Sequence, residues 1–357
     1  MSSLIVEVCK VKDVQPHPNA DRLDIAVIKG WNCIIQKDSY KVDDLVVFIP
    51  PDCVLPDSLI DEHELTYLKG NKRTGTVRLR GYLSQGLVLP VPKGKYKEGD
   101  DVAEVMGITK YVQPERTIQG APRATRKRMN PHFSKYFEME NIKNFPDVFT
   151  EDDHVVITEK IHGSNWCAGW LPIEIDAGQP WWYRVLARIK LLFGKKYEFC
   201  YGSHNVQLAG RGRNYYEMDV YAKIVDKYNF KEIIPNGVIV YGEVYGKGIQ
   251  DLEYGLSDIK VAIFDIKENG VYLPWEKVVE FSLKHNIPTV PTMYIGVFNQ
   301  HTVDMLTEGQ SYFDHKQMRE GIVIRSLDET NHWKVGRKVL KSVSAAYLAR
   351  KGGSEFK

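Results

Sequence analysis

The stretch from Val155 to Asn165 reads Val-Val-Ile-Thr-Glu-Lys-Ile-His-Gly-Ser-Asn, a reactive side chain together with the means of presenting it. Val155 to Thr158 is a β-branched run that predicts a buried strand, and Lys160 falls at its end, three residues before a glycine, Gly163, that lets a backbone or phosphate approach closely. A lysine so placed is a candidate nucleophile, provided its site holds the amine unprotonated, because a free lysine with a pKa of about 10.4 is almost wholly charged at neutral pH. Neighbouring cations such as Lys341, a bound metal and burial at the strand end are the expected means.

Four further landmarks follow in order. Val238 to Gly246 predicts a strand carrying Glu243 between glycines; Lys260 to Ile266 predicts a second with Phe264 near its centre; Glu320 to Arg325 predicts a third opening with Glu-Gly; and His332 to Val343, rich in lysine, predicts a fourth containing Lys341. Glu320 is the first candidate to orient Mg²⁺ or Mn²⁺, since such ions take one or two carboxylates plus waters and substrate phosphates.

The elements that position these residues must fit in 357 residues, a length that suits two domains, and 43% hydrophobic residues are ample for their cores. Lys plus Arg number 48 against 46 for Asp plus Glu, so a net charge of +2 confines any polyanion-binding surface to local patches. Five cysteines, Cys9, Cys33, Cys53, Cys167 and Cys200, are scattered without a C-x-x-C pair, which argues against a disulfide framework or zinc knuckle and for a reducing intracellular compartment. No signal-peptide pattern and no apolar run of spanning length occurs, so neither export nor membrane spanning is expected.

Residues 1–106 alternate short β-rich runs with turn signals: Leu4 to Val8, Asp24 to Ile28, Leu45 to Ile49, Thr76 to Leu79 and Gly86 to Leu89. Such spacing predicts a small antiparallel barrel, and Lys72, Arg73, Arg78, Arg80 and Tyr82 form a basic and aromatic cluster suited to phosphates and stacked bases. Residues 107–131 read as a linker whose run Arg126-Lys127-Arg128 suits a polynucleotide backbone. Residues 132–357 form the second domain. Within it, Trp181 to Lys196 has the pattern of a basic amphipathic helix, a pattern that also suits contact with a membrane surface or nucleic acid; the expectation is that it packs its apolar side on the domain.

Two resemblances sharpen these readings. His17-Pro18-Asn19-Ala20-Asp21-Arg22-Leu23 resembles a stretch of OB-fold tRNA-binding modules. The later segments resemble, in order, motifs I, III, IIIa, IV and V of the covalent nucleotidyltransferases, and Thr158 to Asn165 together with Gly242 to Gln250 is most similar to the RNA ligases, with the module order of Naegleria-type enzymes. The resemblance implies an α+β chain: an OB-like β-barrel followed by a nucleotidyltransferase domain of antiparallel, ATP-grasp-like sheets with flanking helices. It implies an ATP-dependent RNA ligase acting through lysyl-AMP and adenylylated RNA, joining 3′-hydroxyl to 5′-phosphate ends, at nicks in duplexes, as a monomer. By the same resemblance Lys160 is the nucleophile; Glu159, Gly163, Asn165, Glu243, Phe264, Glu320 and Lys341 line the ATP or AMP; Glu243 assists Glu320 at the metal; and His162 serves adenylate transfer.

Two positions depart from the family pattern. Tyr201 to Asn205 has His204 where an arginine often contacts the 5′-phosphate, and motif V keeps Lys341 but not the preceding lysine, with Lys338 as a possible substitute. A GTP-using capping guanylyltransferase is the alternative enzyme, and a non-catalytic OB-containing RNA-binding protein the alternative outside catalysis. His162, and the 16 residues after Lys341, too few for a C-terminal OB domain, weigh against the first; the joint presence of Lys160, Glu243, Glu320 and Lys341 weighs against the second.

Overall fold

A computed structural model describes residues 4–111, 130–203, 207–208 and 219–350. The N-terminal part is built on strands β1 (Glu7–Pro16), β2 (Leu23–Ile28), β3 (Trp31–Gln36) and β4 (Leu45–Ile49), followed by β5 (Cys53–Val54), helix α1 (Asp57–Glu62), the hairpin β6 (Thr76–Leu79) and β7 (Tyr82–Gln85), β8 (Leu87–Pro90) and β9 (Thr109–Lys110). Five of them make an antiparallel sheet in the order β3-β2-β1-β4-β8. Alternation drives it: along β2, Asp24, Ala26 and Ile28 are buried while their neighbours are only partly covered. The sheet curls until its edge strand β3 meets β7, where Ile34 N donates to Ser84 Oγ (2.9 Å) and Cys33 Sγ to Gln85 O (3.1 Å). Strand β3 went unpredicted, and the first strand begins at Glu7 rather than Leu4.

The C-terminal part contains two larger sheets. One orders β10 (Glu140–Asn141), β22 (Val339–Val343), β19 (Gly321–Ser326), β11 (His154–Lys160) and β18 (Thr292–Val297) side by side. The other orders β14 (Gln207–Leu208), β13 (Tyr197–Ser203), β12 (Ser164–Pro172), β15 (Val238–Gly246), β16 (Ile259–Glu268) and β17 (Val271–Tyr272). Between their strands in sequence lie α2 (Trp181–Leu192), α3 (Val220–Lys227), α4 (Phe230–Ile233), α5 (Trp275–His285) and α6 (Gln300–Thr307), and α7 (Ala345–Leu348) follows the last strand. The segment expected as one strand from His332 to Val343 is instead the short pair β20 (Asn331–His332) and β21 (Gly336–Arg337), then β22; Gly336, at φ 71°, supplies the break.

Helices α3, α4 and α5 pack with Trp166, Val240 and Ile263 of the six-stranded sheet in the largest core cluster. A second core joins Val155, Ile157, Ile322, Ile324 and Leu340 of the five-stranded sheet to Val303 of α6. The segment after α5 ties the sheets together, since Ile263 N donates to Pro288 O (2.8 Å) and Glu159 N to Pro291 O (2.9 Å). The N-terminal sheet docks on this body through Trp31, whose Nε1 donates to Asn144 Oδ1 (3.1 Å) while Lys143 lies over its ring.

Candidate active site

The chain changes sheets between β11 and β12, within Ile161-His162-Gly163, and the candidate residues gather at that crossing. Register fixes which of them share a face. Thr158 pairs with Val323, which pairs with Lys341, and Lys160 pairs with Gly321. Thr158, Lys160, Val323, Arg325 and Lys341 therefore share the side of the sheet opposite the core of Ile157, Ile324 and Leu340. On the facing sheet Asn165 pairs with Glu243, which pairs with Ala262, placing both polar residues on one side.

Lys160 Nζ donates to Glu320 Oε1 in a close ion pair, and Glu320 Oε2 lies 3.5 Å from His162 Nδ1. Burial pushes the Glu320 carboxyl up, but Lys160 and His162 outweigh it and hold it below the usual glutamate range. Glu243 behaves oppositely. Burial first, and Glu320 with it, push its carboxyl up to about 8 against the pull of Lys160. The two carboxylates and the lysine thus share one electrostatic site. Asn165 Oδ1, beside Glu243 in the ladder, is buried without a hydrogen-bond partner among the described residues.

Two glycines let backbones close in here. A Cβ on Gly163 would sit 2.3 Å from Val244 O, and one on Gly321 would sit 2.2 Å from Ser342 O. Either would push apart strands that carry Glu243 or Lys341. Phe264 is the extra residue of a β-bulge, because the β15–β16 register shifts between Tyr241 and Gly242. Bulges re-aim side chains, and here the ring stays partly exposed with Tyr136 edge-on at 4.9 Å. Val323, also partly exposed, stands on the opposite sheet; two residues on, Arg325 Nη1 donates to Phe264 O (3.2 Å), so the two strands face each other across a slot with an apolar residue on each wall.

The sequence did not single out the partners of His162. Its Nε2 lies 2.6 Å from Asp251 Oδ1, a carboxylate that can only accept, so Nε2 carries a proton. Its Nδ1 lies 2.8 Å from the Tyr347 hydroxyl, which burial keeps protonated by pushing its pKa up. Arg350 reaches Asp251 (3.3 Å) and covers the Tyr347 ring. These contacts span up to 185 residues of sequence and carry no local signal. Glu159 is buried, its carboxyl pushed up by burial, and it accepts from Tyr312 N (2.8 Å). Lys338 is engaged elsewhere, on Asp153 (2.6 Å).

The expected nucleic-acid cluster divides. Arg78, Arg80 and Tyr82 stand exposed on the β6–β7 hairpin, clipped to the His17 loop by Asn19 Nδ2 donating to Arg80 O (3.0 Å). Lys72 pairs with Asp57 (2.6 Å), and Arg73 binds Asp52 while stacking 3.8 Å from the Tyr111 ring, so neither joins the hairpin surface. Arg126, Lys127, Arg128 and His204 lie outside the described residues. Among the described residues no helix is long and apolar enough to cross a membrane.

A curled OB-fold sheet followed by two facing, mainly antiparallel sheets, with a lysine where the chain crosses between them, defines the nucleotidyltransferase type of ligase fold. Residues 153–343 match the model of the RNA ligase family, and residues 5–91 match an OB-fold domain model. The chain belongs to the RNA ligase family. No curated protein matches it. Among solved structures it is similar to Naegleria gruberi RNA ligase with pyrophosphate, at 21% identity and a TM-score of 0.72, covering 99% of this chain and 100% of that one. Variants of the same ligase with ATP and Mn (21% identity, TM-score 0.71, 98% and 100% covered) and with AMP and Mn (21%, 0.71, 99% and 100%) have the same fold.

Proposed function

We propose that this ligase is ATP-dependent and joins a 3′-hydroxyl to a 5′-phosphate of RNA, at nicks in a duplex, by way of AMP carried on Lys160. The observation that carries the reading is the convergence of Lys160, Glu320 and Glu243 at one sheet crossing beside the unpartnered Asn165 oxygen. In the first step Lys160 Nζ bonds to the α-phosphorus of ATP, the bond to the pyrophosphate oxygen breaks, and the amine loses a proton. The 5′-phosphate of RNA then takes the adenylyl phosphorus, breaking the P–N bond and returning a proton to Lys160. The 3′-hydroxyl finally attacks the activated 5′-phosphate and expels AMP.

The residues present have matching parts. Phe264 and Val323 offer flat and branched apolar walls for adenine; Lys341, on the same face as Lys160, offers a cation to phosphate oxygens. Lys160 is paired with Glu320, so this contact must give way, as when Glu320 turns to a bound cation, before the amine can attack. A divalent cation fits this site, because Glu243 and Glu320 are close enough to repel, and they are the residues that would hold it. Such a cation would supply neutralisation of charge on phosphate oxygens. The Naegleria enzyme was solved with ATP and Mn, which supports the use of a divalent cation.

The test is a nicked RNA duplex with a labelled 5′-phosphate, incubated with ATP or GTP and Mg²⁺ or Mn²⁺. ATP should yield adenylylated strand and then sealed product. Sealing driven by GTP, or none with either nucleotide, would contradict the proposal.

A further inference from the structure

Helix α2 is amphipathic in the sense opposite to the one expected. Only Tyr183 and Ala187 are buried, against Ile173, and the helix is held on β13 by Lys190 Nζ donating to Glu198 (2.8 Å) and by the Tyr183 hydroxyl on the same carboxylate. Trp182, Val185, Leu186, Ile189 and Phe193, spaced as i, i+3, i+4, i+7 and i+11, form one stripe. That stripe faces solvent. Val185 is 44% exposed, Leu186 49%, Ile189 44% and Phe193 80%. Scattered apolar residues on a surface need no explanation, but a contiguous face of this kind does.

Charge narrows what covers it. From Trp181 to Lys196 the chain holds Arg184, Arg188, Lys190, Lys195 and Lys196 and no Asp or Glu, in a protein whose net charge is only +2. The acids nearest in sequence are engaged: Glu198 by Lys190, Glu174 by His132 (2.7 Å), and Asp176 by Gly178 N (2.5 Å). A second copy of the helix would set like charges against each other. RNA would use the cations but not Val185, Leu186, Ile189 and Leu192, which neither stack nor hydrogen-bond. An anionic lipid surface uses both, with aliphatic and indole side chains entering the headgroup–acyl boundary and flanking Lys and Arg meeting the headgroups. We propose that α2 is an interfacial helix that seats this ligase on an anionic membrane surface.

The test is flotation of the full chain with vesicles of phosphatidylcholine alone or with added phosphatidylserine, alongside tryptophan emission. Wild type should float with the anionic vesicles, shift its emission to the blue, and release at high salt. Leu186→Glu with Ile189→Glu should lose roughly tenfold or more of the bound fraction, and so should Lys195→Glu with Lys196→Glu. All four positions are exposed and none belongs to the site around Lys160, so unchanged unfolding temperatures will show that the variants fold. No flotation, or equal flotation by the Leu186→Glu/Ile189→Glu protein, overturns the proposal. So does sedimentation showing that the stripe forms a dimer, or a loss of RNA affinity in these variants without lipid binding.

Discussion

Glu320 is buried and Glu243 partly so, yet their proton affinities shift in opposite directions, and the difference lies in their partners. Glu320 faces Lys160 and His162 and stays ionised; Glu243 is desolvated beside Glu320 and holds its proton to about pH 8. The unfolded chain loses that proton in the ordinary glutamate range, so folding binds a proton in between and stability falls as pH rises from there to about 8. Glu243→Gln should therefore be more stable than wild type at pH 9, by on the order of a few kcal/mol, with a smaller gap at pH 5, as read by denaturant unfolding. In the intact enzyme, metal-dependent nucleotide binding should strengthen as pH rises through about 8 and release a proton, measurable by calorimetry in buffers of different ionisation enthalpy. A pH-independent affinity with no proton release would contradict the placement of Glu243 at the cation. Asp251 acts through His162 by fixing the proton on Nε2. Asp251→Ala should lower strand sealing by roughly 10- to 100-fold, the size of a charge-assisted hydrogen bond, with the pH profile of sealing displaced and Asp251→Glu partly restoring it. A profile unmoved by Asp251→Ala would leave this residue a structural role only.

At the scale of elements, the two sheets are pinned together by buried charge. Asp265 on β16 is fully buried; Arg337 binds it, Arg325 on β19 approaches it at 3.5 Å, and Tyr136 donates to it (2.8 Å), while Glu329 holds both arginines. Removing one member strands the others in low dielectric. Asp265→Ala should cost about 3–5 kcal/mol in denaturant unfolding and loosen the slot between Phe264 and Val323. A loss below about 1 kcal/mol would show the network to be dispensable. None of this network was legible in the sequence, since its members are brought together by strand crossing and not by spacing. The strands themselves were legible where apolar runs were strong, as at Val155 to Thr158 and Val238 to Gly246, and so were Lys160 and Glu320 at strand ends and Glu243 within its strand. The outward stripe of α2 was not, because an amphipathic pattern specifies a stripe but not the side on which the domain lies.

At the scale of the whole molecule, the proposed function assigns self-adenylylation and RNA binding to different surfaces. The hairpin bearing Arg78, Arg80 and Tyr82 belongs to the OB-fold part, whereas Lys160 and its carboxylates lie at the sheet crossing. Arg78→Ala with Arg80→Ala should reduce the salt dependence of RNA binding by about two units of the log–log slope and leave adenylylation intact. An unchanged slope would return these arginines to the solvated surface. Beneath every one of these expectations stands the assignment of Lys160 as the residue that carries AMP. It is tested most directly by incubating wild type and Lys160→Ala with α-labelled ATP and Mg²⁺ or Mn²⁺, followed by denaturing electrophoresis. Wild type should take up label that acid removes and alkali does not, as a phosphoamide requires, and Lys160→Ala should take up none; labelled Lys160→Ala would contradict the account.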